Sequence, residues 1–233
     1  MTDRFAILVR HGDYHQRPDT PSALQPYGLT ETGSRQAEAC GAEIASLAQE
    51  NGWQLSTKVL CSRQLRAWQT ATQMLPALSM GTGSQFIVEE TEALAERSVG
   101  ALANLTLSEI EDILDTDPRF TPPPANWKSD SHFKLPVQGA ESLIEAGRRV
   151  AAVLETEVET LAADTSANAQ IFVGHGASIR HAALHLDVLR PEEIQSLSMH
   201  HARPVVLRFS RDNGWSHAAG DWKQRSHKAA PLD

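Results

Sequence analysis

Residues Phe5-Ala-Ile-Leu-Val-Arg-His-Gly12 decide the fold. Five apolar residues in a row, rich in branched side chains, read as a strand buried on both faces, as strands inside a parallel sheet do. The run ends in a fixed cation, Arg10, and an imidazole, His11. Gly12 then lets the chain turn sharply and lets a ligand approach the backbone. In open α/β sheets ligands bind beyond the carboxyl ends of strands, so Arg10 and His11 stand where chemistry is done. The device recurs at Gln170-Ile-Phe-Val-Gly-His-Gly176. If both strands are neighbours in one parallel sheet, His11 and His175 face one crevice. A single strand-end histidine is ordinarily a half-buried loop residue; two of them, with arginines nearby, point to a site.

Working outward, residues 13–27 are polar, carry three prolines and read as a loop over the strand end. Residues 30–51 are helical by their i, i+3, i+4 apolar spacing, with Thr30 or Thr32 as cap and Gly52 after the end. A short strand at 58–61 runs into a helix over 63–75, with Leu65, Trp68, Thr72 and Leu75 as its inward stripe, Ser62 as N-cap, and Pro76 ending or kinking it. A third strand is expected at 85–89, loop at 92–105, and a helix from 106 to 114 opened by the Thr106-Leu-Ser-Glu109 capping box. Residues 117–139 are too long and irregular for a plain connector and read as a lid or binding loop. The longest helix spans 142–163, and another spans 177–186 after the second His-Gly strand. Pro191 opens a short helix over 192–197. A hairpin at 204–209 and 215–218 closes the chain around Asp212-Asn-Gly214. Alternating strands and helices imply an α/β three-layer sandwich, a mostly parallel central sheet with helices on both faces. With no repeats and no linker, residues 1–220 read as one domain and 221–233 as a polar tail that frays.

Composition narrows the partners. The 233 residues are 41% hydrophobic and 21% charged, with a formal charge of -8. That balance argues against nucleic acid or an anionic membrane as partner. Cys40 and Cys61, the only cysteines, make neither a disulfide framework nor a zinc spacing. There is no basic segment followed by an apolar one at the N-terminus, and no stretch approaches the roughly 20 apolar residues of a membrane span. A cytoplasmic location is expected.

An acidic chain that handles a small anion must gather its positive charge locally. Cys61-Ser-Arg-Gln-Leu-Arg66 places Arg63 and Arg66 in the first turn of a helix, where backbone N–H groups already favour an anion. Arg10, Arg66 and Arg63 are therefore read as the positive pocket, since guanidinium donors match phosphate oxygens bidentately. His181 and His185, four apart on a helix, have a metal-capable spacing but no third ligand, and are read as structural. His200, His201 and the tail histidines are assigned to the surface, Arg180 to bracing the sheet or pairing with a carboxylate, and Cys61 to the buried strand.

These motifs, together with Leu29-Thr-Glu-Thr-Gly33, Ala67 with Thr70-Ala71, Glu96-Arg97 with Gly100, and Gly139-Ala-Glu-Ser-Leu143, stand in the order and approximate spacing of the histidine phosphatase superfamily. The chain resembles its phosphoglycerate mutase-like branch over nearly its whole length. The resemblance implies that His11 is a nucleophile forming a phosphohistidine. Arg10, Arg66 and His175, with Gly176, would hold the phosphoryl oxygens, and Glu96 would be the general acid, protonated when substrate binds. It implies no metal and no resident cofactor.

The chain departs from that branch where a mutase grips the second charged end of its substrate. Tyr14 and Arg17 replace a serine and an asparagine, Val99 and Leu107 replace a tyrosine and a lysine, and Arg119 alone remains of paired arginines. Arg17 and Arg97 are the remaining candidates for substrate contacts. The expected function is a metal-independent phosphomonoesterase acting on a small phosphorylated metabolite, with a phosphoprotein as a less favoured target. The alternatives are a mutase needing a phosphorylated primer and a non-catalytic phospholigand-binding protein of the same fold.

Overall fold

The structure, a computed structural model, describes residues 3–164 and 167–225. In chain order its main elements are β1 (Arg4–Arg10), α1 (Glu31–Asn51), β2 (Leu55–Ser62), α2 (Leu65–Thr82), β3 (Ile87–Thr91), α3 (Leu107–Thr116), α4 (Leu143–Asp164), β4 (Ala169–Gly174), α5 (Gly176–His185), β5 (Leu197–Ser198), β6 (Pro204–Ser210), β7 (Gly214–Ala219) and β8 (Lys223–Gln224). Six strands form one sheet in the order β3-β2-β4-β1-β6-β7. β1, β2, β3 and β4 pair in parallel, while β6 and β7 add an antiparallel edge. This is the expected α/β architecture.

Because side chains alternate along a strand, the sheet feeds two separate cores. Ala6, Leu8, Leu60, Phe172 and Leu207 pack with Val150, Leu154 and Val158 of α4 and Ile179 of α5. Ile7, Val9, Val59, Ile171, Val173 and Val206 pack with Ile44 of α1 and Met74 and Leu78 of α2. A third cluster lies off the sheet, where Val99, Leu102, Ile110, Leu114, Trp127 and Leu135 close on Ala23 of the 13–27 loop. Trp127 anchors the 117–139 loop, donating from Nε1 to Glu111 Oε1 at 3.0 Å. The Thr106–Glu109 capping box is formed.

Several sequence expectations are corrected. α2 starts at Leu65, capped by Gln64, with no side-chain bond from the cap. Its buried face is Arg66, Ala67, Thr70, Ala71, Met74 and Leu78, while Leu65 and Trp68 are 41% and 39% exposed. Small residues were needed there, because α1 comes close enough at Gly41 to meet the α2 backbone around Met74. Pro76 does not end α2. It removes one hydrogen bond, and Met74 and Leu78, buried on either side of it, carry the helix through. β3 lies two residues later than expected because pairing with β2 sets its register, Lys58 to Ile87 through Ser62 to Thr91. Residues 191–193 form a single 3₁₀ turn, and Leu197 belongs to a strand. The tail does not fray at 221: Lys223 and Gln224 pair with Ser198 and Leu197. Residues 226–233 of the expected tail lie outside the described residues.

The His-Gly loop leans on the start of α1. A Cβ at Gly12 would lie 2.6 Å from the carbonyl oxygen of Gly33, with backbone that cannot swing aside. Gly12→Ala is expected to destabilise the protein by about 1–3 kcal/mol in urea denaturation. An unchanged midpoint would show that the loop has slack.

Candidate active site

β1 and β4 pair so that Arg10 stands opposite Gly174, and His11 N–H donates to Gly174 O at 3.0 Å. The two His-Gly ends are therefore side by side, and the rings of His11 and His175 are 5.1 Å apart. Tyr14 meets the His11 ring edge-on, also at 5.1 Å, and lies 4.6 Å from the Arg66 guanidinium carbon. Arg10 crosses Gly176, where a Cβ would lie 3.1 Å from its Cδ, and donates to Met199 O at 3.2 Å. His11, Arg66, His175, Glu96 and Arg10 are all buried.

Hydrogen bonds fix the tautomers. His11 Nδ1 lies 2.7 Å from Gly12 O; a carbonyl only accepts, so Nδ1 carries the proton and Nε2 keeps its lone pair. Arg66 Nη2 lies 3.3 Å from His175 Nδ1; a guanidinium only donates, so His175 carries its proton on Nε2, 2.9 Å from Ser62 Oγ. Thr70 ties the pieces together, accepting from Gly12 N at 3.0 Å and donating to Arg66 O at 2.7 Å. Burial, then the charge of Arg66, holds His11 well below the ordinary imidazole pKa. Burial, then Arg66 and Arg10, does the same to His175.

Arg66 is engaged by the protein itself. Its Nη1 donates to Gln25 O at 3.0 Å and its Nη2 to Ser22 O at 2.8 Å and Ala23 O at 3.2 Å. Gln25 pins that segment, donating to Thr20 O and Pro21 O and accepting from Arg17 N. The 13–27 loop thus closes over Arg66 and His11. Glu96 sits behind His175 at the start of α5. Its Oε1 accepts from Arg97 N at 2.9 Å and Ser178 N at 3.0 Å, and its Oε2 from Ala177 N at 3.2 Å.

The other candidates divide. Arg63 does not join the cation pocket: it is exposed and paired with Glu92 at 2.8 Å. The late start of α2 turns it outward. Arg17 is exposed and donates to Asn104 O at 2.7 Å. Arg97 is buried beside Glu96, 5.8 Å from the Trp127 ring. Arg180 braces Leu197 O at 2.6 Å. His181 bonds Ala177 O and Ser131, and His185 bonds Ile144 O; among the described residues no cluster of three or more His, Cys, Asp or Glu could hold a metal. Burial pushes the Cys61 thiol up to about 12, which suits its buried-strand reading. His201 is not a plain surface residue: it lies half-buried, edge-on to His11 at 5.5 Å. It escaped the sequence reading because its contact depends on the Arg10–His201 bridge, almost two hundred residues apart. Ser62 and Thr70 stand in the sequence motifs, but their roles come from contacts with segments distant in the chain.

His11, His175 and His181 are folded in neutral form, the last with a pKa lowered by burial to about 3. The unfolded chain titrates near 6.5, so it takes up protons below that pH and the folded chain does not. Stability is present above about 6.5 and falls as pH drops, by about 1.4 kcal/mol per histidine between pH 7.5 and 5.5. Urea denaturation across that range, with the histidine ring resonances followed by NMR, checks both halves. Buried rings that titrate near 6.5 would contradict the reading.

The sequence pattern of the histidine phosphatase superfamily (branch 1) matches residues 6–221. The chain is 26% identical over 210 residues to a 2,3-bisphosphoglycerate-dependent phosphoglycerate mutase of Parvibaculum lavamentivorans, covering 89% of this chain and 91% of that one. Its fold is similar to a mycobacterial glucosyl-3-phosphoglycerate phosphatase, with TM-score 0.67, 21% identity, and 93% and 97% of the two chains covered. It is also similar to a phosphoglycerate mutase from Bacillus anthracis, with TM-score 0.71, 18% identity, and 94% and 93% covered. No helix among the described residues is long and apolar enough to cross a membrane. With paired His-Gly strand ends, a buried arginine between them and a family pattern spanning nearly all of its length, the chain belongs to the histidine phosphatase superfamily.

Proposed function

We propose that the chain is a phosphomonoesterase that hydrolyses a small phosphorylated metabolite through a phosphohistidine. In this reading His11 Nε2 attacks phosphorus in line, Arg10 and Arg66 hold the equatorial oxygens as charge builds, and His175, accepting from Arg66 and donating to Ser62, positions that guanidinium. The phosphoryl oxygens replace the Ser22, Ala23 and Gln25 carbonyls on Arg66. Glu96 gives its proton to the departing alkoxide. It then takes one from the water that attacks the phosphohistidine, returning His11 and releasing phosphate. Oε2, which accepts only the Ala177 N–H, has a lone pair left for that proton.

The observation that supports hydrolysis over transfer is what occupies the cations and the positions where the mutase branch holds its second anion. Arg119 is exposed and bound by Asp117 at 2.6 Å, and Arg17 is bound to the Asn104 carbonyl. Val99 and Leu107 lie in or against the third apolar cluster. Nothing there would shelter a sugar acid while it reorients, so water reaches the phosphohistidine first. The curated relatives named as mutases favour the second reading, transfer within a phosphorylated acid.

The two readings separate in one experiment. The protein is given p-nitrophenyl phosphate and, in parallel, 3-phosphoglycerate with a bisphosphoglycerate primer. Release of phosphate from the aryl ester with little isomerisation is expected; efficient isomerisation with negligible hydrolysis would overturn the assignment. The positive charge in this reading comes from arginines, so turnover should survive exhaustive chelation. Strict dependence on added Mg²⁺ or Zn²⁺ would contradict it.

A further inference from the structure

Beside the sealed catalytic centre lies a cleft of about 510 Å³, within the size range that takes small molecules. Ser62, which holds His175, and Glu96, the proposed general acid, both line it, and under the phosphomonoesterase reading it is the candidate space for the leaving group. Its ionisable groups are two arginines and three glutamates. Arg149 is clamped by both oxygens of Glu141, at 2.7 and 2.9 Å, and by the carbonyls of Ala93 and Ala95. Arg63 is paired with Glu92. Both arginines lining the cleft are thus matched by carboxylates, and neither is left to receive a second anionic group on the substrate.

One polar group in its wall is unused. Gln64, the residue that caps α2, lines the cleft, and both its amide nitrogen and its amide oxygen are shut from solvent with no hydrogen-bond partner. Leaving such atoms unpaired costs about 1–3 kcal/mol, and folded proteins rarely tolerate it without a use. The amide offers a donor and an acceptor together, the pair that reads a hydroxyl. Leu24 of the covering segment lines the same cleft. The withdrawal of residues 22–25 that frees Arg66 for phosphate therefore opens this wall as well.

We propose that the organic part of the substrate is an uncharged polyhydroxy group, a polyol or sugar, and that Gln64 reads one of its hydroxyls. This rests on the phosphomonoesterase reading and narrows it.

The test compares glycerol 3-phosphate with 3-phosphoglycerate, which differ in a hydroxymethyl against a carboxylate at one end, and uses p-nitrophenyl phosphate as a reporter of the phosphoryl chemistry alone. The wild-type protein is expected to favour glycerol 3-phosphate in kcat/KM by about tenfold or more. Gln64→Leu should lower kcat/KM for glycerol 3-phosphate by about 10–100-fold, leave p-nitrophenyl phosphate within about threefold, and keep or raise Tm, because an unpaired buried amide has been removed. Equal loss on both esters would make Gln64 a structural support of Arg66 and overturn the proposal. So would no loss on either, a lower Tm, or a wild-type preference for the carboxylate. Failure of the wild-type protein to hydrolyse p-nitrophenyl phosphate would overturn the hydrolytic reading and this proposal with it.

Discussion

Everything at the site depends on the parallel pairing of β1 with β4. Arg10 opposite Gly174, extended by the His11 N–H to Gly174 O bond, brings together two histidines more than 160 residues apart in sequence. The pairing is specified by composition: both strands are buried on both faces, and a one-residue slip would exchange the residues facing the α4–α5 core with those facing the α1–α2 core. Ala6 and Leu8 go one way and Ile7 and Val9 the other. The register that pairs His11 with His175 is thus set by the same packing that stabilises the sheet.

The second constraint is the burial of Arg66. A guanidinium taken out of water must be matched, and with no carboxylate on it the match is made by three carbonyls and one imidazole nitrogen. Stabilising a charge with neutral acceptors leaves it able to favour a better partner. In the proposed reaction a phosphoryl group, carrying full negative charge, would compete with these carbonyls for Arg66. Closure over His11 also keeps its imidazole neutral, and a neutral imidazole is the form that can attack. The 13–27 loop thus covers this pair, through Tyr14 on the His11 ring and the Ser22, Ala23 and Gln25 carbonyls on Arg66.

Much of this was legible in the sequence, and for a physical reason. Apolar runs ending in Arg-His-Gly and Gly-His-Gly report strand, register end and chemistry at once, and the capping box and α4 stripe are equally local. What escaped were features that depend on how elements meet. The buried face of α2 carries small residues and Arg66 where the reading sought large apolar ones such as Leu65 and Trp68, because the close approach of α1 is invisible to periodicity. Arg63 could not be distinguished from Arg66 without knowing where α2 begins. His201 and the Lys223–Gln224 strand owe their places to long-range bridges.

The central claim is that His11 Nε2 is the nucleophile. The direct measurement mixes the protein with a radiolabelled phosphomonoester, quenches in alkali where phosphohistidine survives, and locates the label after digestion by mass spectrometry. The account predicts close to one label per chain, on His11, attached at Nε2 because Nδ1 is held by Gly12 O. Label on His175, attachment at Nδ1, or turnover with no trapped phosphoprotein would contradict it.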